Sequence, residues 1–285
     1  MDTKTFMMRL DERQKNNLEN NREQLLNQFK LWGKADICIA FSGGVDSGLL
    51  LKLATDATKH SGQKVYAVTF DTVLHPRADV EVAKAVVKEM GAIHEIIKVD
   101  ELTNEKIKNN DRDRCYYCKR ELFEQLINFA NTKGVGVIVE GTNHDDLAKY
   151  RPGIRAVREL GVASPLAEYG LSKEEIRTWA KELGISVSKR PSAPCLATRL
   201  PYDTVVDLKV LERIEKSEEY LRKMGFENVR VRVYPEKVRV EVDKGMIPKA
   251  LEQEENIANG LKRWGFTKMI IDPKGFRSGS MDAEE

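Results

Sequence analysis

Two sets of residues in this chain have the types and spacing to do chemistry. The first is Ser42-Gly43-Gly44-Val45-Asp46-Ser47, between the apolar run Asp36-Ile37-Cys38-Ile39-Ala40-Phe41 and a helix-like run that starts at Gly48. Adjacent glycines let the backbone approach an anion, and the N–H groups and dipole of the following helix favour negative charge there, so the segment is a phosphate cradle. No Gly-x-x-x-x-Gly-Lys-[Ser/Thr] occurs, so the motif itself carries no lysine toward a terminal phosphate. Asp46 is suited to an Mg²⁺ ion bridging bound phosphates and equally to a helix start. The second set is Cys115-Tyr116-Tyr117-Cys118 with Cys195, which stands in the proline-bearing loop Pro191 to Arg199. Three thiolates could converge on an iron-sulfur cluster with one iron open. A redox pair is the alternative, as is a structural zinc whose fourth ligand no nearby Cys or well-spaced His supplies. Cys38 sits inside an apolar run and is expected to be a small buried hydrophobe.

These residues must be positioned by a fold, and the chain signals one. Of 285 residues 41% are apolar, enough for a large core, while 32% are charged with a net of only +2. That balance gives no global field for a nucleic acid or a membrane. The N-terminus lacks a signal-peptide core and Lys52 interrupts the longest apolar run, so a cytoplasmic protein is expected. Strand-like runs at 37–41, 65–70, 93–99 and 135–140 alternate with helical patterns at 48–59, 78–90 and 119–131, after an amphipathic helix at about 12–31. Such alternation predicts βαβ crossovers and an α/β fold with a parallel sheet covered on both faces, whose ligand lies beyond the carboxyl ends of the strands. Segments that follow strands, among them the cradle and Gly141 to Asp146, become site candidates. Ser172-Lys173-Glu174-Glu175 is a capping box, and the prolines of residues 189–203 mark an ordered loop. The division predicted is residues 1–203 as the ATP-binding domain and 204–285 as a small α+β domain with an internal echo, Met224-Gly225-Phe226 against Trp264-Gly265-Phe266.

The cradle looks like a PP-loop, which implies a Rossmann-like sheet and cleavage of ATP between the α and β phosphates. Together with Cys-Tyr-Tyr-Cys-Lys-Arg at 115–120, Tyr150-Arg151-Pro152-Gly153, Pro194-Cys195-Leu196-Ala197-Thr198-Arg199-Leu200-Pro201-Tyr202 and Gly275-Phe276-Arg277-Ser278-Gly279, it resembles the LarE family. Those are ATP-dependent sulfur transferases of nickel-pincer nucleotide synthesis, which supply lactate racemase. The resemblance implies adenylation of the carboxylates of a pyridinium-3,5-biscarboxylic acid mononucleotide and their conversion to thiocarboxylates. An acyl adenylate expels AMP readily, so sulfur need only arrive as a nucleophile. In one version of the family a cysteine at the position of Cys195 gives up its own sulfur. In the other, three cysteines hold a [4Fe-4S] cluster carrying an extra sulfide, and the presence of Cys115, Cys118 and Cys195 favours that one.

The resemblance also implies roles for single residues. ATP would lie on Ser42, Gly43, Gly44, Asp46, Ser47 and Gly141, with Mg²⁺ on Asp46. Catalysis would rest on Cys195, Asp46 and Lys119, although Lys119 and Arg120 also suit a solvated helix face. Arg230, Arg232 and Arg277 would bind the substrate phosphate through their forked donors. A strand of alternating Val and Arg equally describes the wet face of a sheet, and a charged helix face would explain Glu218, which with Thr198 and Arg199 matches family site positions. A small nucleotide substrate, a sulfide donor and a homo-oligomer are expected, without membrane or nucleic acid. The rivals are a tRNA thiolase, which would need a basic surface with stacking aromatics, and an ATP-binding sensor with a zinc-stabilised loop.

Overall fold

The computed structural model describes residues 3–277 and Met281; Ser278 and Gly279 of the Gly-Phe-Arg-Ser-Gly segment lie outside the described residues. The chain divides into two compact units, residues 1–71, 77–99 and 115–190 in the first and 72–76, 100–114 and 191–285 in the second.

The first unit is built on a four-stranded sheet of β1 (Ile37–Ala40), β2 (Val65–Thr72), β3 (Ile93–Val99) and β4 (Val137–Val139), in the order β3-β2-β1-β4. β1 runs parallel to both β2 and β4. Its alternate residues enter different cores: Ile37 and Ile39 pack with Leu49, Leu50 and Val86, while Cys38 packs with Val68, Phe123 and Leu126. A strand buried on both faces has to be apolar throughout, which is why it shows no polar alternation. Burial pushes the Cys38 thiol up to about 12, so it is an inert core group as expected. The helices α1 (Thr3–Trp32), α2 (Val45–Thr58) and α3 (Arg77–Met90) cover the sheet, α1 inserting Leu25 and Phe29 into the core and running further toward the N-terminus than its apolar spacing suggests. Because the chain leaves β1 to build β2 on one side and returns to build β4 on the other, the sheet changes direction beside β1. A crevice opens at that switch point, beyond the carboxyl end of β1 where Ser42 begins.

The second unit carries a sheet of β5 (Val229–Val233), β6 (Val238–Val242) and β7 (Met269–Ile271), β5 and β6 antiparallel and β6 and β7 parallel. The echo in the sequence is a shared way of stopping a helix. Gly225 and Gly265 take left-handed conformations (φ +91° and +80°), and Phe226 N and Phe266 N each donate back to a leucine carbonyl, Leu221 O and Leu261 O. This unit is not the contiguous segment 204–285. Its loop and two earlier excursions are stitched together by backbone bonds: Leu196 N to Leu74 O (2.7 Å), Val206 N to Lys108 O (2.7 Å) and Asp203 N to Asn110 O (3.2 Å).

Glu101 completes this stitching. It is fully buried, its Oε2 accepts from Val73 N at 3.2 Å, and its Oε1 has no partner among the described residues. Burial, outweighing those hydrogen bonds, raises its pKa from 4.5 to about 7. The folded state therefore keeps a proton that the unfolded chain releases, so the stability this group provides is full below pH 4.5 and lost as pH rises through about 7. Glu101→Gln should raise stability at pH 8 by roughly 3 kcal/mol and leave it near wild type at pH 4.5. Urea denaturation at the two pH values checks this, and an unchanged difference between them would assign the pH dependence to other groups.

Candidate active site

At the crevice, Gly43 adopts φ +70° and Gly44 stands at the N-cap of α2, turning the chain so that the first N–H groups of α2 have no helical acceptor. The turn is braced by side chains: Ser47 Oγ receives Ser42 N and donates to Gly44 O, both at 3.3 Å. Neighbours crowd its glycines. A Cβ on Gly43 would meet Ala83 N of α3 at 3.2 Å, and one on Gly141 would lie 3.1 Å from both Asp46 Cβ and Ser47 N. Ser42, Gly43, Gly44, Asp46, Ser47 and Gly141, six positions named from the sequence, thus share one place. Asn143, from the candidate segment Gly141 to Asp146, joins them, as do two residues not expected there, Lys173 and Arg190. Lys173 Nζ pairs with Asp46 Oδ2, Asn143 Nδ2 reaches Asp46 Oδ1 at 3.4 Å, and Arg190 donates to Gly43 O at 2.9 Å while pairing with Asp79 at 2.5 Å. Of the two unexpected residues, only Lys173 carries a signal in the sequence: it opens a capped helix, the end where a cation is least favoured.

Cys115 and Cys118 differ from their expected setting. The helix spans Arg114–Lys133, so the pair lies in its first turn and not ahead of it, because Arg114 N already donates to Asp111 O. The i, i+3 spacing puts both half-buried thiols on one helix face. The helix Pro152–Glu159 packs against this turn: a Cβ on Gly153 would sit 2.8 Å from Lys119 Cγ and 3.1 Å from Cys115 O. Lys119 Nζ lies over the Phe123 ring at 4.6 Å, whereas Arg120 is exposed and bonded to Glu124, Glu159 and Tyr116, the solvated role left open for it. Among the described residues, no three or more His, Cys, Asp and Glu side chains are grouped as a metal site.

Cys195, Thr198, Arg199, Glu218, Arg230 and Arg232 belong to the second unit, and the alternatives of a wet sheet face and a charged helix face are both overturned there. Glu218 is 0% exposed, and Arg230 and Arg232 are buried, because the loop 191–199 covers the sheet face they occupy: Arg230 donates to Ser192 O (2.8 Å) and Arg232 to Thr198 O (2.6 Å). Glu218 accepts a fork from Arg199, Nε and Nη2 both at 2.8 Å, together with Val231 N and Arg222. The remaining nitrogen of Arg199, Nη1, grips Pro194 O, Cys195 O and Thr198 Oγ1. Burial works against both charges, but the pairing wins: the Arg199 pKa is raised and that of Glu218 lowered. Both side chains are enclosed, and together they fix the Cys195 turn. Arg232 is neutralised by Glu241, and Arg277 by Asp272. Arg230 makes no ion pair among the described residues; burial, then the charge of Arg199, pushes its pKa down to about 10.

Comparison with known proteins supplies what geometry does not. A family model described as a PP-loop domain matches residues 14–151. The chain is 34% identical to an uncharacterised protein of Synechocystis over 91% of its length and 97% of that protein. It is 32% identical to the pyridinium-3,5-bisthiocarboxylic acid mononucleotide synthase of Lactiplantibacillus plantarum over 86% of its length and 88% of that enzyme. The chain belongs to this synthase family. It is an ATP-using sulfurtransferase with an α/β PP-loop fold. A tRNA-cytidine(32) 2-sulfurtransferase of Bdellovibrio bacteriovorus shares 30% identity over only 44% of the chain and 49% of that enzyme. No described helix is long and apolar enough to cross a membrane.

The fork between Arg199 and Glu218 yields a stability prediction. Glu218→Ala would strand a buried guanidinium, at a cost of roughly 3–5 kcal/mol, and loosen the Cys195 turn. Chemical denaturation of the variant measures it, and a loss below about 1 kcal/mol would mean the fork is not what holds the turn.

Proposed function

We propose that this protein adenylates the carboxylates of a pyridinium-3,5-biscarboxylic acid mononucleotide and converts them to thiocarboxylates, for nickel-pincer cofactor synthesis. The observation that carries this reading is the extent of the likeness: similarity to the synthase runs through both units, while the likeness to the tRNA enzyme covers less than half the chain.

The cradle N–H groups would bind the ATP phosphates with the bridging bond between α and β phosphorus exposed to attack. Asp46 would hold Mg²⁺, and the fit is good because its part-exposed carboxylate stands in the first turn of α2, beside the cradle. A substrate carboxylate oxygen attacks the α phosphorus, pyrophosphate departs with the bridging electron pair, and an acyl adenylate results. Sulfur then attacks the acyl carbon and AMP leaves. In the second unit, Arg230 is a buried cation with no ion pair among the described residues, and a substrate phosphate would give it one. Arg232 and Arg277, each with a carboxylate of its own, would act beside it.

Cys115 and Cys118 on one helix face and Cys195 on its braced turn are thiols with the donor chemistry of a [4Fe-4S] cluster. Such a cluster would supply the sulfide nucleophile, leaving Cys195 unspent; donation of the Cys195 sulfur itself is the alternative. Arg199 would hold the backbone of Cys195 in either case, and Lys119 would balance charge on the departing AMP.

Two outcomes are expected. Pyrophosphate release should depend on the dicarboxylate nucleotide; release that depends on tRNA instead would support a thiolase. Cys115→Ala purified without oxygen should lack iron and lose sulfur transfer while binding ATP as wild type does, whereas one full turnover in that variant would favour sacrifice of Cys195.

A further inference from the structure

The Lys173–Asp46 pair has no part in the scheme so far. It is formed by the first residue of the helix Lys173–Glu182, which lies beyond the residues matched by the PP-loop domain. Three features argue against a merely structural link. Both side chains are part-exposed, 28% for Lys173 and 20% for Asp46, and such a pair contributes about 0–1 kcal/mol to stability. The ammonium stands at the positive end of a helix dipole, where an acidic residue is the favoured choice, and Glu174 and Glu175 follow it. The helix start needs no help from this side chain, since Ser172 and Glu175 close a capping box and Lys173 N donates to Asp145 at 3.0 Å. The backbone is therefore anchored while the flexible stem is not.

The pair also competes with the proposed cation. Lys173 holds Asp46 Oδ2, so an Mg²⁺ ion on the same carboxylate would stand beside a second cation, and the two repel. A displaced ammonium finds its next anion in the phosphates brought by the same ligand. We propose that Lys173 is a second cation of the phosphate site, neutralising Asp46 when ATP is absent and binding the β and γ phosphates when it is present. There it takes up the charge that builds on pyrophosphate as the bond between the α phosphorus and the bridging oxygen breaks, the electron pair staying on that oxygen and the carboxylate oxygen bonding to phosphorus. The cradle lacks the lysine of the commoner phosphate loop, and Lys173 supplies one from a different element.

This inference rests on the reading of Ser42 to Ser47 as an ATP cradle, and the test separates the two. Calorimetric titration of the whole protein with ATP and with AMP, both with Mg²⁺, is compared among wild type, Lys173→Met and Lys173→Arg. Lys173→Met should weaken ATP by about tenfold or more, one charge-assisted bond, and leave AMP within about twofold, since AMP lacks the outer phosphates. Lys173→Arg should recover most of the ATP affinity, and it keeps the test decisive if the methionine variant does not fold. Equal weakening of both nucleotides, or of neither, would return Lys173 to a structural role. Wild-type protein that holds ATP no tighter than AMP would overturn the cradle reading and the inference with it.

Discussion

The second unit depends on one carboxylate. Glu218 is fully buried and accepts from Arg199 twice, from Arg222 and from the backbone of β5. A fully buried carboxyl group keeps its charge when its oxygens are filled this completely, whereas Glu101, with one oxygen unfilled among the described residues, is pushed toward its protonated form. The consequence reaches the chemistry, because the guanidinium that Glu218 fixes spends its third nitrogen on the carbonyls of Pro194 and Cys195. A helix, a strand and the Cys195 turn are thus locked by one ion pair, and a reacting sulfur at Cys195 would inherit that rigidity.

The first unit works by a different economy of charge. Its crevice follows from strand order, and the anion site proposed there from N–H groups at the start of α2 that have no helical acceptor. Cations are brought to this place by side chains from separate elements, Arg190 on the carbonyl of Gly43 and Lys173 on Asp46. The residues proposed for ATP lie in one unit, and Cys195 with Arg230, proposed for the substrate phosphate, in the other. Cys115 and Cys118 belong with the first.

Much of this was legible in the sequence. The cradle is local, with glycines, strand and helix all within a dozen residues, and the capping box at Ser172 and the glycine stops at Gly225 and Gly265 are local as well. What escaped is non-local. The alternation of Val and Arg in β5 has the period of a half-wet strand, and only the loop 191–199 lying over it makes the arginines buried. Segments 72–76 and 100–114 join the second unit through backbone bonds that leave no mark on residue type. Lys173 was legible as a misplaced charge, but its partner lies 127 residues away.

The most direct test is the intact mass of the wild-type protein, purified without oxygen, before and after it has formed several equivalents of thiocarboxylate. The account predicts a protein that contains iron and sulfide and whose mass is unchanged at Cys195. Loss of the mass of one H₂S at Cys195, with product stopping at one sulfur per chain, would contradict it.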